Sequence, residues 1–234
     1  MAALFNTYLY QPILSLLIFI YEHFSFGDLG IAIVVLTVVV RIVLLPLFYK
    51  GTKDQTLMAR LQPKIKAIQT EHKDNKERQA AELMALYKEH KLNPFSGILL
   101  LIIQLPIFIA LFQIFRTELG TAVFVTHSFL GVVDLSAKSI GVVLIAAILQ
   151  FVQAKLALPP EQKESDGKKN PLAAMGKTML YVGPIISAVV LWNLPSALGL
   201  YWVISTLFSV GQQAFINHRL AVRPPKELAP TKTV

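Results

Sequence analysis

A single arginine interrupts an apolar run long enough to cross a membrane. Leu29 to Tyr49 reads LGIAIVVLTVVVRIVLLPLFY, and Arg41 is its one full charge. Twenty helical residues rise about 30 Å, the thickness of a bilayer's hydrocarbon core. If Leu29–Phe48 spans, Arg41 lies roughly 4 Å past the midplane by the same rise. Placing an arginine near a helix centre costs about 2.5–3.5 kcal/mol on insertion scales. A charge retained there is by default functional, and it faces helices or water rather than lipid. Snorkelling to a headgroup is the plain alternative. Thr37 precedes Arg41 by four residues and shares its face.

Several further apolar runs approach twenty residues, and 54% of the 234 residues are hydrophobic. A soluble domain does not carry such runs, so the class is an all-α integral membrane protein. The chain has no cysteine, which excludes disulfides, thiol catalysis and Cys metal sites.

The segments are expected as follows. Residues 1–27 carry an amphipathic pattern, with Leu4, Phe5, Tyr8, Leu9, Ile13, Leu16, Leu17 and Ile20 on one side. Their unbroken apolar core, Leu16–Tyr21, is too short to span, so an interfacial helix on the outer face is expected, with a degenerate signal anchor as the alternative. The first span covers 28–49, and Pro46 should loosen its last turns. Residues 50–95 turn polar and hold two amphipathic patterns, which predicts an antiparallel helical hairpin outside the bilayer. Four more spans are expected at 96–115, 139–158, 175–192 and 198–215, making five. Between them lie an external loop at 116–138, a cytoplasmic loop at 159–174, a tight turn at 193–197 and a basic tail at 216–234.

Loop charge orients this plan. No Lys or Arg precedes Arg41; residues 50–95 hold ten, 116–138 two, 155–177 five, 193–197 none and 218–234 four. High and low counts alternate as the positive-inside rule requires, placing the N-terminus outside and the C-terminus in the cytoplasm. The net charge of +8 is thus explained by topology rather than by nucleic acid. The ten basic residues of the hairpin are moreover diluted by six acidic ones, as on a solvated charged face.

Polar residues inside the expected spans form the candidate site. Gln150 and Gln153 share a face at i, i+3. Tyr201, Ser205, Ser209 and Gln212 form a polar stripe, flanked by Trp202, Thr206 and Gln213. Gln104 and Gln113 are nine residues apart and fall on opposite sides of their helix. Each of these groups taken singly fits simple helix-to-helix hydrogen bonding equally well. Taken with Arg41 they predict a shared hydrated cavity, because no acidic residue within any span neutralises the arginine. Proton-coupled transport usually needs intramembrane Asp, Glu or His, and none is present. There is no HExxH or GxSxG motif, and the five histidines are scattered over loops and ends. The expectation is a non-enzymatic protein without metal or cofactor.

Four stretches resemble the YidC-type membrane protein insertases. They are GIAIVVLTVVVRIVLLPL (30–47), the series LQPK…MALYK…NP…QLPIFIALF within 61–112, the pair Asp134-Leu135, and LPSALGLYWVISTLFSVGQQAFINHRL (194–220). The resemblance implies a five-span core, an outer amphipathic helix, a cytoplasmic hairpin, and a hydrated groove closed on the outside. It implies that Arg41 is the groove arginine, that Thr37 and Trp202 lie along the substrate's path, and that Gln153 lines the groove; Gln150 is added by spacing. It further implies nascent membrane proteins as substrates, contacts with the ribosome and the Sec translocon, and residence in the bacterial inner membrane. The large extracytoplasmic domain and the lipoprotein cysteine of some family members are not found in these residues. Readings from other classes are a small channel or uniporter with an anion-attracting vestibule, and a passive assembly chaperone.

Overall fold

The computed structural model describes residues 2–121, 123–158 and 171–222. Most of the expected loop at 159–174, and the expected tail beyond residue 222, lie outside the described residues.

The chain opens as one nearly continuous helix. Helix α1 (Ala2–Phe5) passes through a π-helical turn (Asn6–Tyr10) into α2 (Gln11–His23). The wide turn precedes Pro12, which cannot donate a hydrogen bond and whose ring crowds the preceding turn. By length and composition the stretch Ala3–His23 is apolar enough to cross a membrane. The short unbroken run Leu16–Tyr21 understates it, because polar residues are spaced between apolar ones over its whole length. Two of its tyrosines touch the stretch from the end of α7 (Ser96–Glu118) into the segment that follows it. The Tyr10 hydroxyl meets Thr117 at 3.0 Å and donates to Glu118 at 3.2 Å. The Tyr21 hydroxyl accepts from the N–H groups of Val125 and Thr126 at 3.1 and 3.2 Å.

Helix α3 (Leu29–Val43) starts at Asp28, whose carboxylate accepts from the Ile31 N–H at 2.9 Å. The apolar run does not continue straight to Tyr49. It breaks at Leu44, and α4 (Leu45–Arg60) leaves at an angle of 70°. Pro46 lies in the first turn of α4, where its missing N–H costs nothing, but in an unbroken helix its ring would strike the carbonyl of Ile42. The expected single span over 28–49 is therefore a bent pair. Arg41 ends up in the last turn of α3, where unpaired carbonyls favour a cation.

A second break at Leu61 divides the first expected hairpin helix, because Pro63 begins a new one, α5 (Gln62–Glu71). Asn75 caps α6 (Lys76–Glu89) by accepting from the Arg78 N–H at 3.0 Å. Helices α5 and α6 pack together, with the Gln79 amide donating to the Gln69 carbonyl at 2.9 Å and His72 meeting Glu82 at 2.7 Å.

Helix α7 (Ser96–Glu118) continues through Pro106. A hairpin not foreseen in the 116–138 loop follows, with β1 (Ser128–Phe129) antiparallel to β2 (Val133–Asp134). Helix α8 (Ile140–Ala157) is capped by Ser139; α9 (Pro171–Trp192) and α10 (Ser196–Val222) complete the bundle. Among the described residues three helices are long and apolar enough to cross a membrane, or four if the bent pair counts as one.

Helix α10 is the centre of the packing, lying against α3, α4, α7 and α8. Close approach to α8 rests on Gly199, where a Cβ would lie 2.5 Å from Val142 Cγ1. The main apolar core sits at one end, where Leu17, Leu29, Ile33, Ile114, Phe124, Leu135 and Leu198 are almost fully buried. A second core gathers Leu57, Leu61, Ile65 and Leu86 against Ile216 and Leu220, joining α4–α6 to the far end of α10.

Candidate functional site

The polar stripe of α10 is used one residue at a time by the helices around it. Arg41, only 9% exposed, reaches across from α3. Its Nε donates to the Ser205 hydroxyl at 3.0 Å, and its Nη2 donates to the same oxygen. Its guanidinium carbon stands 4.6 Å from the centre of the Phe48 ring, a cation–π contact supplied by α4 after the bend. In a straight helix Phe48 would follow Arg41 by two turns. The 70° turn brings the ring back over the charge.

Every partner of the guanidinium named here is neutral. Arg41 takes part in none of the ion pairs among the described residues. A guanidinium has five N–H donors, and one hydroxyl accepts only part of that capacity. The charge is held in position without being neutralised.

One turn before Ser205 the Tyr201 hydroxyl accepts from the Gln104 amide of α7. On the neighbouring face the Trp202 indole N–H donates to the Gln150 side-chain oxygen on α8 at 3.1 Å. Phe108 of α7 meets the same indole edge-on, centroid to centroid 5.6 Å. Ser209 donates to the Ser205 carbonyl at 3.0 Å. Thr37 is buried and donates to the Ile33 carbonyl of its own helix at 2.6 Å, so its hydroxyl is spent locally. Gln153 is half-buried one turn beyond Gln150 and makes no hydrogen bond to the other candidates among the described residues.

The structure thus joins Arg41 to Ser205, and Trp202 to Gln150, while Tyr201 turns to Gln104. Arg41, Ser205, Tyr201 and Gln104 gather into one local cluster, and the Trp202–Gln150 pair forms a separate contact beside it. Phe48, Gln104 and Phe108 were missed as site residues. Gln104 was legible as an intramembrane amide, but periodicity within one helix does not say which helix faces it. For Phe48 the signal was Pro46, which marked the bend without giving its direction.

The seam continues toward the second core. Gln212 donates to Thr52 at 3.0 Å and Gln213 to Thr56 at 2.9 Å. Gln213 also donates to the side-chain oxygen of Asn217 at 3.1 Å, and Asn217 donates to the Leu156 carbonyl in the last turn of α8 at 2.7 Å. Arg60 caps the last turn of α10 through the Leu220 carbonyl at 3.3 Å. The Gln212 side-chain oxygen is buried without a hydrogen-bond partner. A polar atom in that condition calls for a donor such as water.

At the opposite end, Asp134 accepts from the Ser136 hydroxyl at 2.6 Å and its N–H at 2.8 Å. The hydroxyl is the largest cause holding this exposed carboxyl below its ordinary range, with the backbone donors adding to it. No group of three or more His, Cys, Asp or Glu side chains able to hold a metal occurs among the described residues.

Comparison with known proteins places this architecture. Residues 19–223 match the family model of the 60Kd inner membrane protein. A Syntrophus aciditrophicus protein named membrane protein insertase YidC is 36% identical over 214 residues, 90% of this chain and 36% of that protein. A Geotalea uraniireducens protein of the same name is 34% identical over 214 residues, 90% of this chain and 37% of that protein. One from Fusobacterium nucleatum subsp. nucleatum, also so named, is 37% identical over 192 residues, 81% of this chain and 86% of that protein. The chain therefore spans a little over a third of the length of the first two relatives and most of the third. With a family model covering most of its length, and a relative matched over more than four fifths of each chain, this chain belongs to the 60Kd inner membrane protein family.

Proposed function

We propose that the protein is a membrane protein insertase in which Arg41 draws the polar tail of a nascent membrane protein partway across the bilayer. One observation carries this reading. Arg41 is buried in an apolar bundle, fixed by Ser205 and Phe48, and left with its positive charge uncompensated. A charge in that state attracts an acidic tail more strongly than it would in bulk water, because apolar helices bound even a hydrated groove and lower its effective dielectric. The names of the relatives point the same way.

The α10 seam supplies the polar wall. Ser205 presents the guanidinium, while Tyr201, Ser209 and the unpaired oxygen of Gln212 extend the polar surface along the same helix. Gln150, Gln153 and Trp202 continue it toward α8, and Thr37 approaches from α3. Water along this wall lowers the cost of carrying a polar segment inward. The substrate's apolar segment then partitions into lipid, each Å² buried contributing about 25 cal/mol. Acidic tails gain about 2.3 kcal/mol per charge for each 100 mV of membrane potential when the outside is positive. The straight part of α3 is only 15 residues, or about 22 Å, so the bend shortens the apolar path beside Arg41.

In this reading the α2–α3 turn lies outside and α5–α6 in the cytoplasm, as the distribution of Lys and Arg requires. Although Ala3–His23 is long and apolar enough to cross, in this reading the N-terminal helix lies along the outer surface, with Tyr10 and Tyr21 both held to residues 117–126. The α5–α6 pair is the element offered to ribosome, Sec translocon and incoming chain. The test is reconstitution into sealed liposomes with a single-span substrate. Protection of its tail from external protease, above that in empty liposomes, supports the insertase. Conductance without protection would assign a channel, and binding of finished spans without protection an assembly chaperone.

A further inference from the structure

Two turns at one end of the molecule break the same rule in the same way. The α2–α3 connection turns at Phe26-Gly27 and the β-hairpin turns at Leu130-Gly131. All four residues have left-handed backbone, with φ of 53°, 76°, 52° and 70°. Such Xaa-Gly turns favour Asn or Asp at the first position, whose short polar side chains tolerate positive φ; a bulky residue there is an outlier. Here both first positions carry a large apolar side chain, and both side chains face outward. Phe26 is 99% exposed and Leu130 63%. Val125 and Val132 beside them are 83% and 84% exposed.

The two turns are fastened into one surface. Asp28 accepts from the Leu130 N–H at 2.7 Å, and the Thr126 hydroxyl donates to the Gly27 carbonyl. The Tyr21 hydroxyl holds the N–H groups of Val125 and Thr126. Gly30 lets Phe129 pack on the start of α3, since a Cβ there would stand 2.3 Å from the Phe129 ring. The exposed apolar groups are therefore held in fixed positions by buried and bonded neighbours.

In water this surface loses on every count: strained backbone and exposed apolar area, with nothing gained. We propose that it is a membrane-anchoring cap, with Phe26, Val125, Leu130 and Val132 inserted at the headgroup–acyl boundary of the outer leaflet. The occupant is lipid because the surface continues into apolar helix ends. Phe24, directly after α2, is 58% exposed, and Ile140, the first residue of α8, is 61% exposed. The segment between α7 and α8 has only Asp134 and Lys138 as fully charged residues, so little charge opposes insertion. The anchor fixes the depth of Asp28, which caps α3, and Arg41 lies twelve residues, or about 18 Å, beyond Leu29 along that helix.

The chain has no cysteine, so single cysteines can be introduced for labelling. Val132→Cys and Val125→Cys carry an environment-sensitive NBD probe in the full chain, in nanodiscs of phosphatidylcholine and phosphatidylglycerol. Lys73→Cys, between α5 and α6, is the aqueous reference. The cap predicts strong quenching at 132 and 125 by lipids spin-labelled near the headgroup. It also predicts iodide quenching several-fold weaker than at 73. Adding Phe26→Asn with Leu130→Asn, which suits the left-handed backbone and keeps the fold, should move the probe at 132 toward the iodide quenching seen at 73. Equal iodide quenching at 132 and 73 without lipid quenching would overturn the proposal, placing the cap in water. Shielding from both quenchers would also overturn it, assigning the surface to a protein contact. Insertion is not measured, so failure here leaves the insertase reading standing.

Discussion

The Trp202 indole donates to Gln150 at 3.1 Å while Phe108 packs edge-on against the same ring. One side chain of α10 thereby holds α8 and α7 at fixed positions on either side of itself. The bond is interhelical and half-buried, the kind that contributes about 0.6 kcal/mol on average and at most about 1.7 in membrane bundles. A double-mutant cycle of Trp202→Phe and Gln150→Leu, read as unfolding free energy in detergent, should return a coupling in that range. Additivity of the two would show that the bond contributes nothing.

Gly199 sets how closely α8 and α10 approach. Gly199→Ala places a methyl group where Val142 already stands, so overpacking should destabilise the bundle by about 1–3 kcal/mol. Val142→Ala in the same chain should recover most of that loss, measured by thermal unfolding in detergent.

Gln213 joins α10 to α4 through Thr56 and supports Asn217, which carries the bond to α8. Gln213→Leu leaves the Asn217 side-chain oxygen without its donor and takes one bond from Thr56. The expected cost is about 1–3 kcal/mol. Hydrogen exchange should rise in the last turns of α8 and α4 before it rises near Arg41. Uniform loss of protection would mean that the seam acts globally.

The Asp134 carboxyl is depressed in the folded state, chiefly by the Ser136 hydroxyl. A depressed carboxylate contributes stability that is present above its unfolded pKa and lost as pH falls through its folded value. Any contribution of this exposed turn therefore disappears only on acidification below the ordinary carboxylate range. Ser136→Ala should raise the Asp134 pKa toward the ordinary value, followed by carbon-detected NMR titration.

The sequence carried the helical class, the buried arginine and the polar stripe at Tyr201, Ser205 and Ser209, because hydropathy and helical spacing depend on one chain segment at a time. The pairings were not legible. Ser205 stands 164 positions from Arg41, and no periodicity within α3 reports on α10. The bend at Leu44 was half legible: Pro46 announced a loosened turn, but the direction of the 70° bend, which leaves Phe48 and Gly51 buried, depends on helices distant in the sequence. The loop hairpin was missed for a stated physical reason. Its turn is Leu130-Gly131, where turn chemistry leads one to look for Asn or Asp.

The most direct test of the account is tail translocation by liposomes carrying wild type, Arg41→Ala or Arg41→Lys, each with an acidic-tailed and a neutral-tailed single-span substrate. Arg41→Ala should lose most of the protection of the acidic tail and little of the neutral one. Arg41→Lys keeps the charge but loses the paired contact of Nε and Nη2 with Ser205, so it should fall between the two. Equal protection of the acidic tail by all three folded proteins would contradict the account, removing Arg41 from the mechanism.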